Sequence, residues 1–166
     1  MTQAILTLNA GSSSLKVSLF PIAGDHALAV GLVDRIGPDA VLNLKDAQGQ
    51  AIVAAGDLTH HAGAMAALIA GFRSHWPDLE LVAIGHRVVH GGASHAAPVS
   101  VNEDILTELD RLSPFAPLHQ PHNLAGIRAA MAAFPGAAQI ACFDTAFHRS
   151  HPWVNDAFAL PRAMYD

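Results

Sequence analysis

Charge is scarce in this 166-residue chain: 14% of its residues are charged, and 14 acids outnumber nine Lys and Arg for a formal net charge of -5. No basic stripe can follow a nucleic-acid backbone, so polynucleotide binding is not expected, whereas small anions need only local donors and stay open. Cysteine is almost absent as well. A lone Cys142 excludes an internal disulfide, suits a reducing cytoplasm, and is expected as a small buried hydrophobe in a strand. No stretch reaches the roughly 18 uninterrupted apolar residues of a membrane span, and "MTQAIL" lacks a charged region ahead of an apolar one. The expectation is a cytoplasmic protein with no membrane or nucleic-acid partner. What the chain does have is 51% hydrophobic residues, much of it alanine, enough for one domain that buries roughly two thirds of its unfolded surface.

The first sixty residues read as antiparallel sheet. In "AILTL" Leu6 and Leu8 share one parity, and after a turn Leu15, Val17 and Leu19 do the same, until Pro21 ends the run. "ALAVGLVDRIG" is a third strand, and "AVLNL" with "QAIVAAG" reads as a further hairpin. The period then changes. His61, Ala64, Met65, Leu68, Ile69 and Phe72 mark one apolar helical face that Pro77 stops. A buried strand follows from Leu79 to Gly85. Ile105, Leu109 and Leu112 mark a short helix begun by a polar Ser100–Asp104 stretch, and Leu124, Ile127, Arg128, Met131 and Phe134 mark another. "AAQIACF" is the last strand. Hairpins followed by alternating strand and helix predict an α/β fold, a mixed sheet with helices packed on it. The tail from His148 carries exposed-looking apolar residues and no closing element.

Four polar clusters fall where strands end, the usual place for ligands in α/β sheets. "NAGSSSLK" (Asn9–Lys16) is either a serine-rich turn or a cradle of amides, hydroxyls and one compact cation for an anion; the P-loop spacing is absent. In "GHRVVHGG" (85–92), Arg87 is a surface arginine or a planar fork for a carboxylate or phosphate, with apolar Val88 and Val89 beside it. In "APLHQPHN" (116–123), prolines stiffen the loop around Leu118 and His119, and His122 or Asn123 could cap the next helix. In "FDTAFH" (143–148), Asp144 is a helix cap, a Mg²⁺ ligand through water, or a proton acceptor. Eleven histidines invite a zinc reading, but no H-E-x-x-H occurs, and a strand before His86 and glycines after His90 disfavour a metal-binding helix.

Taken together and in order, "NAGSSSLK", "HRVVHGG", "APLH", "FDTAFH" and the "ALP" at 159–161 resemble the N-terminal half of the acetate kinase family, the acetokinases that include propionate and butyrate kinases. Gln120, where that family more often has asparagine, and "RSH" at 149–151 depart from the pattern. The resemblance implies a ribonuclease-H-like fold of the actin, Hsp70 and sugar kinase superfamily, with mixed five-stranded sheets and here an additional N-terminal hairpin. Residues 1–150 would form the N-terminal domain and 151–166 the start of a connection to a second domain. The implied reaction is reversible transfer of the ATP γ-phosphoryl group to acetate, or to propionate or butyrate, with Mg²⁺ (or Mn²⁺) as cofactor.

By that resemblance Asn9 lies at the metal, and Ser12, Ser14 and Lys16 lie near ATP phosphates. Arg87 grips the substrate carboxylate, Val89 and Leu118 line the acyl pocket, Asp144 is the active-site acid, and His119 helps hold the substrate or the transferring group. Acetokinases are homodimers joined largely through the second domain, and the present segment alone is expected to turn over little or nothing. Two other classes stay in view: a non-catalytic nucleotide- or anion-binding module, and a zinc hydrolase.

Overall fold

The computed structural model describes residues 2–164. The chain opens with β1 (Thr2–Ala10) and β2 (Leu15–Pro21), an antiparallel pair in which Leu6 lies opposite Leu19 and Leu8 opposite Val17. These four side chains are buried while Thr7 and Lys16 are exposed, so period-two alternation gives the hairpin one dry and one wet face. Strands β3 (Ala29–Asp34) and β4 (Val41–Asp46) extend the antiparallel meander beyond β2.

The expected partner strand of β4 does not form. Residues 50–56 make only an Ala51–Lys45 bridge and a hydrogen bond from the Ile52 amide to the Leu44 carbonyl. The segment then leaves the sheet to lie on helix α1 (His61–His75), with Ala54 close to Gly71 and Gly56 close to Ala67. Small residues on both sides let the backbone settle on the helix, and that contact replaces strand pairing. α1 itself buries Ala64, Met65, Leu68, Ile69 and Phe72, the face its spacing predicts.

β5 (Leu79–Val88) runs parallel to β1 and continues past Gly85, where the sequence suggested its end. His86 and Val88 turn inward and are buried, which keeps the alternation going through the Arg87 position. Then come β6 (Val99–Ser100), too short to show a period, α2 (Glu103–Asp110), a 3₁₀ turn (Ser113–Phe115), α3 (Gln120–Ala133) and β7 (Ala138–Phe143). Asn102 caps α2 by accepting from the Ile105 amide at 2.9 Å, ahead of Glu103 and Asp104 in the first turn. α3 begins earlier than its apolar pattern, with Pro121 in its first turn, so His122 and Asn123 lie inside the helix and neither caps it. The tail adds a 3₁₀ segment (Asp144–Ser150), α4 (Trp153–Asp156) and a 3₁₀ turn (Arg162–Met164), leaving Val154, Phe158 and Met164 exposed.

The seven strands form one mixed sheet ordered β4-β3-β2-β1-β5-β7-β6, in which β1, β5 and β7 are parallel. It exceeds the five strands implied by the resemblance through the edge strands β4 and β6. Helices α1, α2 and α3 cover one face. Leu6, Leu19, Leu68 and Phe72 knit β1 and β2 to α1, while Val88, Leu106, Ile127 and Phe143 knit β5 and β7 to α2 and α3. The other face presents Thr7, Lys16, Val30, Asn43, Arg87 and Cys142, all exposed. Cys142 was expected inside. Because Gln139, Ala141 and Phe143 of β7 turn inward, the residue between the last two must turn out. Among the described residues no helix is long and apolar enough to cross a membrane.

Gly31 of β3 lies directly under α1: a β-carbon there would stand 2.8 Å from Val17 Cγ2 and 2.9 Å from Leu68 Cδ2. Gly31→Ala should therefore lower stability by about 1–3 kcal/mol through overpacking. Urea titration checks this, as a lower midpoint with an unchanged slope.

Candidate functional site

Three parallel strands end side by side, and each delivers one polar group to the open face. Leu8 of β1 pairs with His86 of β5, and Arg87 pairs with Cys142 of β7, so Asn9 and Arg87 are neighbours one step further along. Across the hairpin Asn9 pairs with Lys16. Asp144 is the first residue beyond β7. The Arg87 guanidinium donates from Nε to both Asp144 carboxylate oxygens at 3.0 Å and from Nη2 to Oδ2 at 2.6 Å. Its Nη1 donates to Asn9 Oδ1 at 3.3 Å. A cleft of about 410 Å³ opens beside this cluster, lined among others by Thr7, Asn9, Lys16, Gly85, Arg87 and Asp144. A β-carbon added at Gly85 would meet nothing within 4 Å, so the floor of the cleft is bare for a reason other than packing.

The Arg87–Asp144 pair keeps 52% and 40% of its side chains exposed, and exposed pairs add little to stability. Its value lies in orientation. The hydrogen bonds to Asp144 raise the pKa of Arg87 further, against a smaller opposing effect of burial, so the fork stays protonated and aimed. Asp144 was open to reading as a helix cap; its carboxylate instead holds Arg87 at the start of a 3₁₀ segment.

The turn between β1 and β2 has a distinctive polarity. Two of its carbonyls are held from outside the turn, Ala10 by Asn123 Nδ2 at 2.7 Å and Ser13 by the Ile36 amide at 2.9 Å, while Ser14 accepts from the Gly11 amide within the turn at 2.8 Å. The Gly11 carbonyl lies 2.7 Å from His61 Nε2, which must carry the ring proton to face it. By contrast, the Ser12, Ser13 and Ser14 amides and hydroxyls make no hydrogen bond among the described residues. Bonded carbonyls beside unbonded amides and hydroxyls leave donors available to an anion. Ser12 is exposed and Ser14 half-buried.

The structure therefore brings Asn9, Lys16, Arg87 and Asp144 together around one cleft and sets the serine turn next to them. It does not place the other sequence candidates in the cleft lining. Val89 is half-buried after β5. Leu118 and His119 are exposed just ahead of α3, where His119 is the cap residue without a capping side-chain bond. Several supporting residues escaped the sequence reading. Asn123, buried in α3, bonds both Ala10 and Val89. Gln120, also buried, donates to the His90 and Leu109 carbonyls and accepts from the His90 amide. The only hint of either is polarity at helical spacing on a face that should be apolar. The histidines weighed as zinc ligands are engaged otherwise: His86 bonds Gln139, and His90 accepts from the Gly92 amide and stacks on Phe115.

Comparison with known proteins matches residues 4–166 to the model of the acetokinase family. An acetate kinase of Methylocella silvestris is 45% identical over the whole of this chain and 44% of that protein. Among solved structures, the acetate kinase of Porphyromonas gingivalis superposes with a TM-score of 0.83 at 32% identity, over 98% of this chain and 42% of that one. A propionate kinase of Francisella tularensis gives a TM-score of 0.81 at 33% identity, with the same coverage. The chain thus spans less than half the length of these relatives.

His86, buried beneath this site, supplies a pH test. Burial lowers its pKa, only partly offset by the bond from Nε2–H to Gln139 Oε1 at 2.7 Å. Below about pH 6.5 the unfolded chain takes up a proton that the folded chain refuses. Stability is thus complete above that value and declines as the pH falls toward the folded pKa, by up to about 1.4 kcal/mol per pH unit. His86→Gln should flatten this acid-side slope in urea unfolding measured from about pH 7.5 down to 5.

Proposed function

Because the chain belongs to the acetokinase family, we propose that it supplies the phosphate- and carboxylate-binding half of a kinase that transfers the ATP γ-phosphoryl group reversibly to acetate. The products are ADP and acetyl phosphate. In this reading residues 1–150 form the N-terminal domain, and 151–166 lead toward a second domain that brings the nucleoside-binding part and completes the charge-neutralising shell. The observation that carries the reading is the meeting of the Arg87 fork, Asn9, Lys16 and Asp144 at one cleft, with a turn of unbonded serine amides joining Asn9 and Lys16.

Phosphoryl transfer through a loose transition state needs alignment and charge neutralisation more than covalent chemistry from the protein. The Ser12–Ser14 amides and hydroxyls, with Lys16, are donors for the ATP phosphates. Arg87 takes the substrate carboxylate and then shares the charge of the phosphoryl group moving in line toward it. Asp144 fixes the guanidinium through its Nε edge, and no general base is required, since acetate is already ionised near neutral pH. Asn9 Oδ1 and the Asp144 carboxylate are hard oxygen donors at the cleft, each also accepting from Arg87, a sparse set that fits Mg²⁺ held mainly by water and phosphate oxygens. Asn9 and Asp144 would hold it, and the bound ion would neutralise phosphate charge. Val89 and Leu118 are assigned to the acyl methyl and His119 to the transferring group; what supports these three is the motif match alone.

A propionate kinase reading is favoured by one neighbour, the Francisella structure. One methylene changes discrimination by only about 1–3 kcal/mol, so the two readings share the same chemistry.

The 166-residue chain by itself should form no acyl phosphate from ATP and acetate in a hydroxamate assay. Fused to the C-terminal part of an acetate kinase it should do so. In that fusion Arg87→Ala is expected to lower kcat/KM by about 10²–10³, while changing urea stability by less than about 1 kcal/mol. Turnover by the short chain, or an active Arg87→Ala fusion, would refute the assignment.

A further inference from the structure

One side chain bonds the backbone just beyond two residues that line the cleft, Asn9 and Arg87, without entering it. Asn123 is 5% exposed on the first turns of α3. Its Nδ2 donates to the carbonyl of Ala10, which directly follows Asn9, at 2.7 Å. Its Oδ1 accepts from the amide of Val89, two residues beyond Arg87, at 3.1 Å. The same helix face makes two further attachments at steps of three residues. One turn earlier, Gln120 holds the His90 amide and carbonyl. One turn later, Gly126 lets the helix come so near that a β-carbon there would lie 3.0 Å from Ala10 Cβ.

We propose that Asn123 is a positioning residue that ties the anion-accepting turn to the strand end bearing Arg87, fixing the spacing between phosphate and carboxylate sites. This rests on the functional reading above for the identity of the two ligands, though not for the linkage itself. The chemistry is particular to a primary amide, which offers a donor and an acceptor from one short side chain. Holding the Ala10 carbonyl fixes the peptide plane that carries the Gly11 amide, whose bond to the Ser14 carbonyl closes the serine turn. The same group stops the Val89 amide from relaxing toward solvent, and with it the end of β5. His61 secures the next carbonyl, Gly11, from α1, so the turn is gripped from two helices while only Asn123 also reaches the Arg87 side.

Asn123→Asp provides a test with an internal rescue. An ionised carboxylate keeps the bond from the Val89 amide but repels the Ala10 carbonyl. Once protonated, its O–H can donate to that carbonyl again. Burial disfavours the ionised form, so the new acid should titrate above the usual carboxylate range. The 166-residue chain is studied by amide NMR, with the wild type followed at every pH to account for the nearby His61 and His122. At about pH 7.5 the Asp variant should shift the Ser12–Ser14 amide resonances and lose about tenfold in the exchange protection of the Gly11 amide, which is bonded to the Ser14 carbonyl, with Val89 little changed. By about pH 5 those differences from wild type should shrink to about twofold or less. Affinity for inorganic pyrophosphate should follow the same course, an about tenfold loss that recovers on protonation.

Turn amides that match wild type at both pH values would overturn the proposal. So would a defect that stays constant from one pH to the other, since mere disturbance of the core has no reason to follow one proton. If the variant does not fold, scalar coupling through the hydrogen bond between the Asn123 side-chain amide and the Ala10 carbonyl decides in the wild type. Its presence supports the link and its absence removes it. Should wild type bind neither pyrophosphate nor acetate while the turn amides behave as stated, the functional reading fails and the link stands.

Discussion

The register of β5 between β1 and β7 is the constraint on which the cleft depends. Side chains alternate across a sheet, so a slip of one residue would send Arg87 into the core and His86 out to solvent. The pairing of β1 with β5 contains such a step by design. Ala4 lies opposite Leu81 but Ile5 opposite Ala83, leaving Val82 as an extra residue in β5. Inward positions therefore change parity, from Leu81 before the irregularity to Ile84, His86 and Val88 after it. Were Val82 paired regularly with Ile5 instead of bulged, Arg87 would share the inward parity of Leu81. A bulge in the middle of the sheet thus decides which way the guanidinium points, the re-aiming role such irregularities often have beside functional sites.

Few charges reach the cleft. Lys16 and Arg87 are the cations that line the cleft, and Arg87 already faces Asp144. Beside them the turn adds uncharged donors: with the carbonyls of Ala10, Gly11, Ser13 and Ser14 already bonded, the Ser12–Ser14 N–H groups are left without a partner among the described residues, at no cost in net charge. Ordering the turn in advance also means that a ligand does not have to.

How much of this could be read from the sequence follows from the range of each interaction. The hairpin of β1 and β2 and helix α1 announce themselves through local period, because neighbours along the chain decide which residues share a face. The polar clusters around Asn9, Arg87 and Asp144 stand out for a related reason: unpaired polar groups at strand ends have little structural use. What did not show was anything set by a distant partner. The extra length of β5 depends on β1 and β7 on its two sides, and the two-residue β6 exists only through β7. Residues 50–56 look like a strand until α1 offers its small residues. Asn123 resembled a cap because asparagine commonly is one, and its true partners lie 34 and 113 positions away in the chain. Cys142 followed the habit of its residue type in expectation and the parity of its strand in fact.

Gly85 has a consequence of its own. Strands ordinarily disfavour glycine, and here the fold has no steric need for it, since added atoms would project into empty space above the sheet. Foldability and the shape of the cleft are therefore set by different atoms at this point. Natural drift or deliberate redesign could graft bulk onto residue 85 and reshape what the protein admits, while the scaffold beneath stays indifferent to the change.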